Sequence, residues 1–304
     1  MLRLETGPRV ARRVPDGFDT RPYERFSVAP LTPTIGAEVT GLDLREVDDD
    51  VFADLHRCLL EWKVLFFRDQ HLDRASHAAF ARRFGPLETH PFFKHVGATP
   101  DQPDDPEVVR FAKGAAAAGY ENVWHTDVTW RDEPAWGAVL RAIEIPEVGG
   151  DTLWADMGAA YDGLPDAIRG RIDTLAAEHD WVSSFGRTMP DDLVERLRAD
   201  FPPVRHPAVR THPDTGRRTL FVNSIFTTRL FDADGVPLPA DESDALLDLL
   251  CRRADLPEYQ CRFRWTPGAV ALWDNRATQH YASNDYFPQV RVMERVSIAG
   301  DRPF

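Results

Sequence analysis

The residue types best suited to chemistry stand in Trp124-His125-Thr126-Asp127. On an extended backbone residues two apart point to the same face, so His125 and Asp127 offer an imidazole and a carboxylate to one ion. Alone the pattern is weak, because a surface histidine beside a hydrogen-bonding aspartate is commonplace. A second piece stands 153 positions after Asp127, where the apolar run 269–273 passes into Asp274-Asn275-Arg276-Ala277-Thr278-Gln279-His280. Two histidines and one carboxylate on one face of an ion leave sites open. Iron(II) held in this way takes a co-substrate and O2, whereas zinc keeps a water for hydrolysis or hydration. The zinc reading lacks an evident general acid and base pair. Arg291, eleven residues past His280 on the next expected strand, can hold a carboxylate in its guanidinium fork.

With these residues in view, the chain resembles the taurine dioxygenase family of iron(II)- and 2-oxoglutarate-dependent oxygenases. The similarity runs in order from about Thr34 to Phe304 through IGAEVTGLDL, VLFFRDQ, WHTDVTW, GGDTLWADM, HPAVRTHP, FTTR, WDNRATQHYA and GDRPF. The resemblance implies an α+β, mainly β fold, with a double-stranded β-helix (jelly-roll) core and flanking helices. It places His125, Asp127 and His280 on the iron ligands, and Thr152 and Arg291 on the positions that hold the far carboxylate of 2-oxoglutarate. Fe(II) is then the cofactor, with 2-oxoglutarate and O2 as co-substrates. The implied reaction couples conversion of 2-oxoglutarate to succinate and CO2 with hydroxylation of a small anionic substrate. For a sulfonate such as taurine, hydroxylation next to sulfur releases sulfite. The same chemistry on an alkyl sulfate ester or a carboxylate is the alternative, and a binding protein that kept the fold without turnover is a further one.

On the substrate side, Arg295 matches the position that holds the sulfonate, four residues after Arg291 and on the same face of an alternating strand. His90 matches a substrate-contacting histidine, Ser184, Phe185 and Phe226 match pocket-lining residues, and the Val128 backbone N–H and the Trp130 ring lie beside them in the same scheme. Two positions depart from the pattern. Phe93 stands where the resemblance places a tyrosine, and Glu121 stands where the taurine enzymes carry an asparagine, with Asn122 one residue along. An inward carboxylate at 121 suits an ammonium group and opposes a second anion.

The elements that must position these residues are read from periodicity. Two short strands are expected within 26–44. A stripe of Val51, Leu55, Cys58, Leu59 and Trp62 behind the carboxylates 48–50 predicts an amphipathic helix. Val64 to Phe67 is a short apolar run, and a capped helix is expected over 73–84, stopped by Gly85-Pro86. Residues 100–119, reading TPDQPDDP and later GAAAAG, predict a mobile loop or lid. A strand is expected over 136–145, helices over 165–178 and 191–200, a hairpin over 206–222 turning at Asp214-Thr215-Gly216, a last helix over 240–253, and closing strands around 263–273 and 290–299. Residues 26–304 read as one domain, a sandwich or barrel decorated with helices. Residues 1–25, with six arginines and little hydrophobic periodicity, read as a peripheral arm.

Composition bounds the partners. Apolar residues at 43% and charged residues at 28% suit a folded globular chain. A formal charge of −13 repels phosphate backbones and anionic membranes, so no nucleic-acid or membrane partner is expected. No apolar run approaches the roughly 18 residues of a spanning helix, and the start MLRLETGPRVARRVP lacks the apolar core of a secretory signal. Three cysteines, Cys58, Cys251 and Cys261, fit a reducing compartment, and a cytoplasmic homo-oligomer, dimer or tetramer, is expected. His56, His71, His77, His95, His179, His206 and His212 have no partner at ligand spacing and read as surface or hydrogen-bonded residues.

Overall fold

The computed structural model describes residues 9, 11–89, 91–92, 106–115 and 121–304. Its largest sheet is built on four strands whose residues alternate between two apolar layers. These are β3 (Val64–Phe67), β14 (Val270–Asp274), β6 (Gly137–Glu144) and β16 (Arg291–Ile298). β1 (Ser27–Pro30) and β2 (Ala37–Thr40) extend one edge, while β4 (Leu87–Glu88) and β5 (Val108–Lys113) pair with β16. Leu65, Phe67, Val139, Val270, Leu272, Val296 and Ile298 pack in the outer layer with α1 (Asp49–Trp62) and α2 (Arg74–Arg82). The alternate residues Val64, Phe66, Ala138, Ala142, Ala271, Trp273 and Met293 form the inner layer.

α1 forms as its stripe dictates. Asp48 accepts a hydrogen bond from the Val51 N–H, and Val51, Leu55, Cys58, Leu59 and Trp62 are buried. Each large apolar side chain so buried contributes roughly 1.5–3 kcal/mol against remaining exposed. α2 starts with a capping box between Asp73 and Ser76, which satisfies two backbone donors that the helix leaves open.

A second sheet lies across the inner layer, with β7 (Thr152–Asp156) between β13 (Gln260–Phe263) and β15 (Thr278–Ala282). Phe66 of the large sheet stacks on Phe263 at 4.1 Å between ring centroids and meets Trp154 edge-on at 5.2 Å. The chain passes from β14 in one sheet to β15 in the other through Asn275, Arg276 and Ala277. Asp274 holds that turn. It is almost wholly buried and accepts from the Arg276 backbone and guanidinium and from His212 Nε2 at 3.0 Å. A third sheet orders β12 (Thr227–Phe231), β8 (Ala176–His179) and β9 (Val204–Pro207), and β10 (Val209–Thr211) pairs with β11 (Arg218–Leu220). Among the described residues the further α-helices are α3 (Met157–Asp162), α4 (Asp166–Ile172), α5 (Asp191–Asp200) and α6 (Ala240–Cys251). The architecture is mixed α and β, mainly β, with the helices flanking the sheets.

Two expectations need correction. The helix expected over 165–178 ends at Ile172, because Ala177 and His179 are buried on one face of β8, which hydrogen-bonds to β9 and β12. The loop expected over 100–119 contains β5, whose Val108–Lys113 ladder on β16 satisfies its backbone. Residues 100–105 and 116–119 of that expected loop lie outside the described residues. The described part of the arginine-rich arm lies against α1. The Arg13 guanidinium covers Trp62 at 4.5 Å and pairs with Glu61 at 3.0 Å, and the Arg13 carbonyl accepts from Lys63 Nζ and Arg217 Nη1.

Candidate active site

His125 and His280 meet because their backbones do. They form an antiparallel bridge, with the His125 N–H donating to the His280 carbonyl at 3.0 Å and the His280 N–H donating back at 2.8 Å. Their rings lie 4.2 Å apart, and each Nε2 is 3.9 Å from Asp127 Oδ1. The three residues form a group of ligand atoms within 4.8 Å of one another, all buried. His125 Nδ1 stands 2.8 Å from the Val123 carbonyl. A proton on Nδ1 satisfies that contact and leaves the Nε2 lone pair for a metal. Burial, and then the adjacent His125, push the His280 pKa down to about 3, so its imidazole is neutral at neutral pH, as a ligand requires. Burial pushes the Asp127 carboxyl up, but the Arg295 guanidinium and the two imidazoles outweigh it and hold the pKa below the usual value. Asp127 Oδ2 is buried with no hydrogen-bond partner among the described residues. An orphaned carboxylate oxygen beside two imidazoles fits a divalent cation.

The turn that carries Asp127 is fixed from outside. Val128 sits at φ +46°, a left-handed conformation that costs a β-branched residue. The next residue, Thr129, is fully buried and held by three distant side chains. Its Oγ1 takes a proton from Asn223 Nδ2 at 3.1 Å and lies 2.9 Å from His179 Nδ1, and its carbonyl is 3.0 Å from His206 Nε2. Asn223 Oδ1 accepts from the Phe226 N–H, which fixes the orientation of its amide. His179 and His206, ordinary residues on sequence spacing, therefore support the metal-binding turn. Nothing local in the sequence marks them, since they lie 50 and 77 positions from Thr129.

A cavity opens beside His125 and His280 between the two facing sheets. Arg291, Met293 and Arg295 are alternate residues of β16 and all line it, with Phe111, Lys113 and Leu140 from the same sheet and Thr152, Trp154 and His280 opposite. Arg291 Nε donates to the Gly150 carbonyl at 3.0 Å, and its Nη2 lies 3.3 Å from Thr152 Oγ1. Gly150 has φ +72°, and a Cβ there would meet Arg291 Cδ at 3.1 Å, so this glycine makes room for the guanidinium. Burial lowers the Arg291 pKa, and the neighbouring Tyr286 and Glu121 act in the opposite sense.

Arg295 Nη1 donates to Asp127 Oδ1 at 2.7 Å, while its buried Nε has no hydrogen-bond partner among the described residues. Glu121, the expected ammonium-binding residue, lines the cavity with Arg291 and lies 3.5 Å from Lys113 Nζ. Val128, Trp130, Ser184, Phe185 and Phe226 are not among the residues lining this cavity. Trp130 and Phe226 are buried in an aromatic cluster with Phe92 and Trp181, against which Val128 and Phe185 pack, and Ser184 Oγ donates to the Trp181 carbonyl. His90 and Phe93 lie outside the described residues. Lys113, Leu140, Phe111 and Met293 were invisible as cavity residues in the sequence, because strand pairing alone puts them there.

The sequence matches the family described as "Taurine catabolism dioxygenase TauD, TfdA family" over residues 27–297. It is 36% identical over 293 residues to the alkylsulfatase of Acinetobacter baylyi, covering 93% of this chain and 88% of that protein. It is 36% identical over 292 residues to the (S)-phenoxypropionate/alpha-ketoglutarate-dioxygenase of Sphingobium herbicidovorans, covering 91% and 96%. The crystal structure of a taurine dioxygenase from Burkholderia xenovorans superposes with a TM-score of 0.76 at 35% identity, covering 92% of this chain and 93% of that one. With the metal-binding group and the facing sheets in place, the chain belongs to the TauD, TfdA family and is an iron(II)- and 2-oxoglutarate-dependent dioxygenase.

Proposed function

We propose that this enzyme hydroxylates a small organic anion at the carbon beside a sulfur oxyanion, on a double-stranded β-helix (jelly-roll) scaffold formed by residues 26–304 with 1–25 as a peripheral arm. The observation that carries this reading is Arg295. A guanidinium at the His-Asp-His group keeps a buried Nε with no hydrogen-bond partner among the described residues, and a buried donor without an acceptor calls for an anionic ligand. In this reading His125 Nε2, an Asp127 carboxylate oxygen and His280 Nε2 hold iron(II), which supplies the O2 chemistry when bound. Arg291 and Thr152 hold the far carboxylate of 2-oxoglutarate, and Arg295 with His90 orients the sulfur oxyanion. In this reading the aromatic cluster of Trp130, Phe185 and Phe226, with Val128 and Ser184, stands behind the substrate side.

One molecule each of 2-oxoglutarate, O2 and substrate gives succinate, CO2 and hydroxylated substrate. Hydroxylation next to a sulfonate yields an aldehyde and sulfite, and hydroxylation next to a sulfate ester oxygen yields an aldehyde and sulfate. Taurine needs an ammonium site, and the residue expected to provide it, Glu121, lies 3.5 Å from Lys113. That pairing favours an alkyl sulfate ester or an ammonium-free sulfonate over taurine, in keeping with the alkylsulfatase relative. No nucleic-acid or membrane partner enters this reading, and among the described residues no helix is long and apolar enough to cross a membrane. The same reading makes the enzyme a cytoplasmic homo-oligomer, a dimer or tetramer, which sedimentation of the purified protein tests.

The experiment for substrate class is an anaerobic mixture of protein, Fe(II) and 2-oxoglutarate, given O2 with alkyl sulfates, alkanesulfonates, taurine and aryloxy carboxylates in turn. Succinate, sulfite and sulfate are measured together. Arg295→Ala should raise the KM for the sulfur oxyanion about 10- to 100-fold, the effect of leaving a charged acceptor unpaired. Efficient coupling with a carboxylate, and none with any sulfur oxyanion, would remove the sulfur reading and leave the oxygenase class intact.

A further inference from the structure

In the pairing of β5 with β16, Lys113 stands directly opposite Arg291. Both side chains line the active-site cavity. Like charges facing each other across an antiparallel pair destabilise it unless an anion lies with them. Among the described residues two carboxylates act on this pair. Glu121 Oε1 is 3.5 Å from Lys113 Nζ and its charge also acts on Arg291, while Asp151, paired with Arg262, acts on Arg291 from outside the cavity lining. Two cations and one carboxylate are thus the charged groups among the described residues lining this end of the cavity.

The donors of Arg291 are already partly committed. Its Nε–H goes to the Gly150 carbonyl, and one Nη2 hydrogen faces Thr152 Oγ1. A carboxylate has about four acceptor sites on its two oxygens. The remaining guanidinium hydrogens and the Thr152 hydroxyl are too few to meet every acceptor site of a carboxylate whose water is displaced, and a second cation meets the rest.

We infer that Lys113 is a second binding residue for the far carboxylate of 2-oxoglutarate, held in place by Glu121 until the co-substrate arrives. This rests on the assignment of Arg291 and Thr152 to that carboxylate. Lys113 shares its ammonium between Glu121 and the incoming carboxylate, and Glu121 limits the affinity of the site for dianions, succinate included. The arrangement gives Glu121 a role at the co-substrate end.

Calorimetric titration of the Mn(II)-loaded full-length protein tests this with two ligands. 2-Oxoglutarate carries the far carboxylate, and 2-oxobutyrate is a keto acid without it. Lys113→Met should raise the Kd for 2-oxoglutarate about tenfold and leave that for 2-oxobutyrate unchanged, with Lys113→Arg restoring most of the affinity. Glu121→Gln should lower the Kd for 2-oxoglutarate several-fold and steepen its dependence on salt. An unchanged 2-oxoglutarate Kd in Lys113→Met overturns the inference, as does an equal loss for both ligands, which marks a structural effect. Arg291→Met separates the two assignments. If it leaves 2-oxoglutarate binding intact, the underlying co-substrate site is wrong, whereas a large loss there with none in Lys113→Met rejects Lys113 alone.

Discussion

Thr129→Val removes one oxygen from the enzyme and should weaken a metal site that Thr129 never touches. The hydroxyl it deletes is fully buried, receives Asn223 Nδ2 at 3.1 Å and contacts His179 Nδ1 at 2.9 Å. Valine keeps the branched shape, so the cost comes from two buried polar groups that lose a partner and can recruit no water. Each such group costs about 1–3 kcal/mol, so roughly 2–6 kcal/mol of stability should be lost. At an unfolding entropy of about 2.1 cal/mol/K per residue, 1 kcal/mol moves the Tm of a domain of this size by about 1.7 °C, which puts the expected drop at about 3–10 °C in the metal-free protein. The second effect is on Asp127. With Val128 at φ +46°, the turn stores about 1–3 kcal/mol of strain that persists only while its neighbours hold it. Releasing one of its anchors should let the carboxylate drift, at about 10- to 100-fold in metal affinity. Thermal unfolding of the metal-free protein and calorimetric titration with Fe(II) or Mn(II) measure the two effects separately, and Thr129→Ser should restore both. A Val variant that melts lower but binds metal as tightly as the parent would refute the positioning role and leave only a packing role. One that also melts like the parent would refute the hydrogen-bond reasoning itself.

His280→Ala removes one of the three ligand atoms and should cut metal affinity and succinate formation steeply, whereas near-normal succinate formation would take His280 out of the metal site. Stability should also fall in mild acid. His77 is fully buried with Nε2 3.0 Å from the Val139 carbonyl, and burial, then Arg141, push its pKa down to about 4. Because the folded pKa lies below the unfolded value of about 6.5, the unfolded chain takes the proton first as the pH falls. The stability from neutral His77 is therefore complete above about pH 6.5 and declines by about 1.4 kcal/mol per pH unit down to about pH 4. Buried His179 shifts in the same direction. Urea unfolding between pH 7.5 and 4.5 should show this slope, shallower in His77→Gln, and equal slopes in the two proteins would rule out His77 as a source.

Several elements were legible because their information is local. The stripe from Val51 to Trp62, the short apolar runs over 64–67 and 269–273, and the Asp48 and Asp73 caps are each written within a few residues, as a helix period or as the continuous run of a strand buried on both faces. The candidate ligands were legible for a similar reason. His125 and Asp127 share a face of an extended segment, and the types of His280 and Arg291 are those a metal and a carboxylate require.

What the sequence could not place depends on partners far along the chain. Residues 108–113 lack strong anchors of their own and are a strand because β16, some 180 positions on, supplies the ladder. Residues 176–179, AAEH, follow a helix after only three residues and carry no strong strand formers, yet their hydrogen bonds go to β9 and β12. Glu121 reads as an ammonium site in isolation, and the fold sets it beside Lys113 and Arg291, a charge environment fixed by strand register. The sequence by itself thus determined the chemical kinds of group at the site and the local elements that carry them, because residue type and short-range period are both written locally. Which backbone pairs with which was decided only in the tertiary structure. There the His125–His280 bridge, the hold of His179, Asn223 and His206 on Thr129, and the face shared by Arg291 and Lys113 depend on burial and hydrogen-bond satisfaction across the whole chain.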